Sequence, residues 1–169
     1  RRRGMKMVVF DPMLNSAAAQ ADEWIPITPG TDGLICLAML NVIVNELGMY
    51  DVEYLKSRTN ASYLINKKTG KYVRNRETGK PYIWDPADKK AKVYDDPGIK
   101  DFAIDGEYIV DGIECVPSWV LMKERFSEYT PENVADITSV PAETTRRIAT
   151  EFAKAARIGE TITIDGKEL

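Results

Sequence analysis

"MKMVVFDPMLNSAAAQADEWIPITPGTDGLICLAMLNVIVNELG", residues 5–48, holds two short apolar stretches, each broken by a turn that leads into a helical pattern. Met7, Val8, Val9 and Phe10 form a continuous apolar run without alternation. This predicts a strand over Met5–Phe10 that is buried on both faces, as in a parallel sheet. Asp11 and Pro12 stop it. An alanine-rich segment from Ser16 to Gln20 predicts a short helix, and "WIPI" (24–27) a second short strand. After "TPGTDG" (28–33), Leu34, Leu37, Ala38, Leu40, Ile43 and Val44 follow helical spacing, and Gly48 is a suitable stop. "YDVEYLKSRT" (50–59) predicts one more short helix.

Strand, helix, strand, helix with brief loops is an α/β pattern. The expected fold is α/β, with a Rossmann-like partial parallel sheet, flanking helices and a polar insertion rich in β-hairpins. The insertion follows from a change of character after Asn60. "KTGKYVRNRETGKPYIWD" (68–85) places Thr-Gly-Lys turns at Thr69 and Thr78 between tyrosine-bearing stretches, and "GEYIVDGIECVP" (106–117) reads as another hairpin. Helices return from Pro117, from "YTPENVADI" (129–137) with Thr130 as cap, and in "VPAETTRRIATEFAKAA" (140–156). In the last, Ile148 and Phe152 share a face. "ETITIDGKEL" (160–169) predicts a strand and a turn. The expected organisation is an α/β segment over 1–59, a hairpin-rich insertion over 60–115, and a helical segment over 116–169 that returns to a strand.

With 44% hydrophobic residues the 169-residue chain can build a substantial core. Its net charge is −3, and its basic residues are scattered apart from Arg1–Arg3, which argues against a nucleic-acid surface. The longest apolar run, Leu34–Val44, is far short of a membrane span, and no secretory leader pattern opens the chain. There is no histidine, and Cys36 and Cys115 stand alone. No Cys/His zinc or iron–sulfur site is therefore expected within the chain; a disulfide is conceivable but two cysteines do not establish it, and both thiols are expected to be buried. Chemistry here must use carboxylates, or belong to a ligand or to another part of the protein. A doubly buried strand also needs sheet neighbours that few other segments can supply, so the chain is expected to be an interior piece of a larger subunit; the alternative is that this is an ordinary edge strand.

Two acids stand out. Asp11, at the carboxyl end of the first strand, is where Rossmann-type sheets hold a nucleotide ribose; equally, Asp-Pro commonly starts a turn. No Gly-x-Gly-x-x-Gly precedes the strand, so a dinucleotide fingerprint is incomplete. Thr31 or Asp32 can cap the following helix, stabilising it by ~1 kcal/mol, and the helix dipole favours an acid there by ~0.3–1 kcal/mol; together these account for the residue types. Alternatively Asp32 accepts two parallel hydrogen bonds from the ring N–H and exocyclic amine of guanine, with Gly30 and Gly33 letting a flat base approach. Asp22 and Glu23, being adjacent, point apart and read as solvated charge. Trp84–Asp85 either shapes a channel or caps a hairpin, and Lys89, Lys90 and Lys92 read as a solvated loop.

The segment "GMKMVVFDPMLNSAAAQADEWIPITPGTDGLICLAMLNVIVNELGMYD" (4–51) resembles a stretch of the molybdopterin oxidoreductases, the dimethyl sulfoxide reductase family. "TNASYLI" (59–65), "GEYIVDGIECVPSW" (106–119), "YTPENVADITSVPAET" (129–144) and "TITIDGKEL" (161–169) look like the family too. They are most similar to branches such as the phenylacetyl-CoA acceptor oxidoreductases. The resemblance implies part of a catalytic subunit that uses bis(molybdopterin guanine dinucleotide) with molybdenum or tungsten. It maps a guanosine end of the cofactor onto Asp11, Pro12, Met13, Leu14 and Asn15, and onto Gly30, Thr31 and Asp32. The implied partners are the remainder of the catalytic subunit, plus an iron–sulfur electron-transfer subunit, with iron–sulfur clusters lying elsewhere in the enzyme. The metal-ligating side chain and the domain that closes over the pterins have no counterpart here, so these residues alone are expected neither to retain cofactor nor to turn over substrate. The alternatives are a non-redox hydratase or transhydroxylase of the same family, a stand-alone guanine-nucleotide module, and a structural fragment in which both acids only cap and turn.

Overall fold

The computed structural model describes residues 4–158, 160, 161, 163, 164 and 166–168. In chain order its first elements are β1 (Val8–Phe10), α1 (Ser16–Ala19), β2 (Glu23–Ile25), α2 (Asp32–Asn41), a π-helical turn (Val42–Glu46) and α3 (Val52–Arg58). Then come β3 (Leu64–Asn66), β4 (Tyr82–Asp85), β5 (Lys90–Val93), β6 (Tyr108–Val110) and β7 (Ile113–Pro117). The chain closes with α4 (Ser118–Ser127), α5 (Pro131–Thr138), α6 (Ala142–Ala156), β8 (Thr163–Ile164) and β9 (Lys167–Glu168). The fold is mixed α/β. Arg1–Arg3, Ile162, Asp165 and Leu169, on which the basic cluster and part of the final strand-and-turn were expected, lie outside the described residues.

Contacts divide the chain into two units, residues 1–50 with 126–169 and residues 51–125. In the first, β1 and β2 run parallel, with Val8 opposite Glu23 and Phe10 opposite Ile25. The strand expected from Met5 starts only at Val8, and its three residues are half-buried, where burial on both faces was expected. The reason is the sheet: among the described residues β1 has a single neighbour. Ile25, Ile27, Ile35, Val140 and Ile148 form the core beneath it, with Val8, Phe10 and Met39 packed against them. A second cluster joins Val42 and Ile43 to Ala149 and Ala153 of α6.

The helix after "TPGTDG" forms as its spacing predicts, then widens into the π-helical turn. The Leu47 N–H donates to the Val42 carbonyl, five residues back. Gly48, with φ +62°, ends it, and the Met49 N–H closes back onto the Ile43 carbonyl. The Thr130 hydroxyl caps α5 by accepting the Asn133 N–H, with Pro131 following, as expected. In α6 the expected shared face splits: Ile148 is buried, whereas Phe152 is 60% exposed. Phe152 lies on the wall of an open groove of about 400 Å³ with Met5, Met7 and Met39.

In the second unit β3, β7 and β6 form an antiparallel sheet in that order, and β4–β5 a separate hairpin. Leu64, Val73, Val110 and Cys115 make its core, and Trp84 stacks on Tyr108 at 4.5 Å. The two Thr-Gly-Lys turns are built alike. Asn66 and Asn75 each accept two backbone N–H groups through Oδ1, and Gly70 and Gly79 take positive φ. Lys92 departs from the solvated-loop reading, being 6% exposed. Its ammonium lies 2.7 Å from Asp85 Oδ2 and 2.5 Å from both Asp88 Oδ2 and the Gly98 carbonyl. Alternation explains this, since Lys92 points inward opposite Ile83, itself fully buried. Asp85 accepts the Ala87 N–H at 3.0 Å and so caps the hairpin, the second of its two readings.

Candidate functional site

Because β1 and β2 are parallel, the turns that leave them emerge on the same side, at the carboxyl edge where open α/β sheets bind ligands. The first turn is Asp11–Asn15. Asp11 Oδ1 accepts the Met13 N–H at 2.8 Å and Oδ2 accepts Asn15 Nδ2 at 2.6 Å. Asn15 Oδ1 in turn accepts the N–H groups of Ala17 and Ala18, each at 2.9 Å, and caps α1. The Trp24 indole N–H donates to the Asp11 carbonyl at 2.9 Å, fixing the turn to the neighbouring strand. The turn reading of Asp11 is thus realised. Its carboxylate still offers further lone pairs to a ligand. Met13 and Leu14 are 71% and 60% exposed, which local packing does not account for.

The second turn is Thr28–Thr31. Pro29 stands at its second position and Gly30, with φ +80°, at its third, while the Thr31 N–H bonds to the Thr28 carbonyl. This is a type II β-turn, which explains the Pro-Gly pair. Thr31 occupies the cap position of α2 without capping it. Its hydroxyl instead donates to the Thr28 carbonyl at 2.7 Å. Asp32 is the first helical residue and exposed. Among the described residues its carboxylate accepts no hydrogen bond and joins no ion pair. Neither residue therefore caps by its side chain, and only the dipole at the helix start favours an acid there, by about 0.3–1 kcal/mol. A Cβ added to Gly30 or Gly33 would meet nothing within 4 Å, so the surface over this turn is open.

The other singled-out residues are explained locally. Asp22 accepts the Met7 N–H at 2.8 Å, and Glu23 pairs with Arg147. They point apart as expected, but Glu23 is not free solvated charge: the hydrogen bond from Arg147 holds its carboxyl below the usual range. Cys115 is buried as expected, with its thiol pushed up by burial, whereas Cys36 is exposed. Helical spacing puts Cys36 on the outer side of α2, one residue after buried Ile35. Among the described residues no group of three or more His, Cys, Asp or Glu side chains is placed to hold a metal ion. No helix among them is long and apolar enough to cross a membrane. Two anchors escaped the sequence reading, since only folding brings them to the turns: Trp24 on the Asp11 carbonyl, and Ser139, whose hydroxyl lies 2.9 Å from that of Thr28.

No family model matches the chain. A sulfite dehydrogenase subunit of Allochromatium vinosum is 36% identical over 171 residues, covering 93% of this chain and 18% of the relative. The molybdopterin-containing subunit of the arsenate respiratory reductase of Chrysiogenes arsenatis is 31% identical over 152 residues, covering 89% of this chain and 14% of the relative. The acetylene hydratase of Syntrophotalea acetylenica is 43% identical over 56 residues, covering 33% of this chain and 8% of the relative. The chain thus spans less than a fifth of the length of each of these relatives.

Proposed function

The chain belongs to the dimethyl sulfoxide reductase family of molybdopterin enzymes, whose catalytic subunits are its homologues, and on that premise we propose that it grips a guanosine end of a bis(molybdopterin guanine dinucleotide) cofactor. One observation carries the reading: the Asp32 carboxylate is exposed and unpartnered beside an open, glycine-flanked turn. The capping role that would otherwise explain it is not filled by its side chain. A carboxylate is acceptor-only when ionised, and guanine presents two adjacent donors on one edge. Adenine and the pyrimidines do not present that pair in the same place.

Asp11 suits ribose hydroxyls, held in place by Asn15 and by the turn N–H it accepts. Pro12, Met13 and Leu14 give that turn an apolar outer surface for the nucleoside, and Gly30 and Thr31 shape the facing loop. When bound, the molybdenum or tungsten centre supplies oxygen-atom or hydroxyl transfer, with electrons leaving through iron–sulfur centres. These residues contribute binding and orientation and touch no reacting atom; the remainder of the subunit, with an electron-transfer partner, completes the enzyme. The hydratase among the relatives favours a second reading, in which the same grip serves a reaction with no net redox change.

The test is Asp32→Asn in the full-length subunit. Guanine released by acid hydrolysis of the purified protein is expected to fall about ten- to a hundredfold, the loss of a charge-assisted pair. Unaltered guanine content would remove Asp32 from the site.

A further inference from the structure

The turn that presents Asp32 hangs from one residue. Both the Thr31 N–H and the Thr31 hydroxyl donate to the Thr28 carbonyl, at 3.3 and 2.7 Å. Among the described residues, Pro29, Gly30 and Thr31 make no hydrogen bond outside this turn and α2. Thr28 is itself tied to the end of α5, far along the chain. Its N–H donates to the Thr138 carbonyl at 2.9 Å, and its hydroxyl shares a 2.9 Å hydrogen bond with the Ser139 hydroxyl.

Ser139 is an unusual choice for its position. It sits past the end of α5 with φ +64°, the left-handed conformation where glycine is ordinarily placed because a side chain is disfavoured. Its N–H closes α5 on the Ala135 carbonyl at 2.8 Å, and fully buried Val140 follows it. Glycine would satisfy that backbone better. What serine adds is the hydroxyl that meets Thr28.

We propose that the Thr28–Ser139 hydroxyl pair is a positioning device that sets where Asp32 stands, making Thr28 and Ser139 determinants of base selectivity in the guanosine site. The inference rests on the guanosine reading. Two parallel hydrogen bonds to a rigid base edge demand closer placement than one, so a loosened turn forfeits selectivity before it forfeits binding.

The experiment is a titration of the full-length subunit, purified free of cofactor, with guanosine monophosphate and inosine monophosphate. Inosine keeps the ring N–H and lacks the exocyclic amine. The unaltered protein is expected to prefer the guanosine nucleotide about tenfold or more. Ser139→Gly and Thr28→Val are each expected to shrink that ratio about three- to tenfold, and Thr28→Ser to keep it. Ser139→Gly should leave the thermal midpoint unchanged or raise it, which separates positioning from a merely structural role. A ratio unchanged in Ser139→Gly and Thr28→Val, with the unaltered protein selective, would overturn the positioning role and leave the guanosine reading standing. No preference in the unaltered protein would overturn both.

Discussion

Asp32 and Gly30 show how much one side chain or one dihedral carries at the residue scale. Gly30 holds φ +80° with open space where a Cβ would point, so the cost of a side chain there is conformational and not steric. Gly30→Ala is expected to destabilise by about 1 kcal/mol, read from urea midpoints, and Gly30→Asn by less, because asparagine tolerates this region. Asn15 serves two groups at once, capping α1 and holding Asp11 Oδ2. Asn15→Ala should cost about 1 kcal/mol of stability and also lower guanine content, whereas a pure cap would change stability alone. The residue types at both turns were legible from sequence. Their hydrogen bonds were not: Asp11 accepts two within its turn, and no side chain caps α2.

At the scale of elements, hydrophobic spacing and capping chemistry located most helices. α2 begins at Asp32, two residues before its apolar spacing starts at Leu34, and α5 has the Thr130 cap and Pro131 that its sequence announces. Local patterns do not specify the π-helical turn at Val42–Glu46, because a shift from four- to five-residue hydrogen bonds leaves composition and apolar content unaltered. They also misjudge Lys92. Charge alone suggested solvent, yet its place opposite Ile83 in the β4–β5 hairpin turns it inward onto Asp85 and Asp88. Asp85 is held far below the usual carboxylate range, first by the Lys100 backbone N–H and then by the Lys92 ammonium. A depressed folded-state value means that this stabilisation is complete above the unfolded value of about 3.9. It is lost as pH falls from there toward the folded value. In Lys92→Met the folded value rises, so urea midpoints are expected to be lower at neutral pH and to depend less on pH below about 4. A midpoint profile parallel to that of the unaltered protein would show that Lys92 contributes no charge stabilisation.

For the whole molecule, burial separates residues that hold the fold from those that present the site. Leu64 is fully buried in the core of the second unit, and Leu64→Ala is expected to cost about 2–5 kcal/mol in urea unfolding. Elemental analysis of the native polypeptide is expected to find molybdenum or tungsten, with guanine in the released cofactor; a native chain ending near Leu169 and lacking both would overturn the cofactor reading. The sequence by itself determined the α/β class, the order of strands and helices around the first two turns, and the family, because these depend on periodicity, turn residues and motifs within short windows. Parallel pairing of β1 and β2 was expected from the sequence, but only the tertiary structure decided their register, with Phe10 opposite Ile25, which brings both turns to one edge. It alone decided that Thr28 meets Ser139, a residue 111 positions away, and that Lys92 is buried. The first depends on partners far apart in the chain, and the second on the register of the β4–β5 hairpin, which turns Lys92 onto near neighbours; local propensity encodes neither.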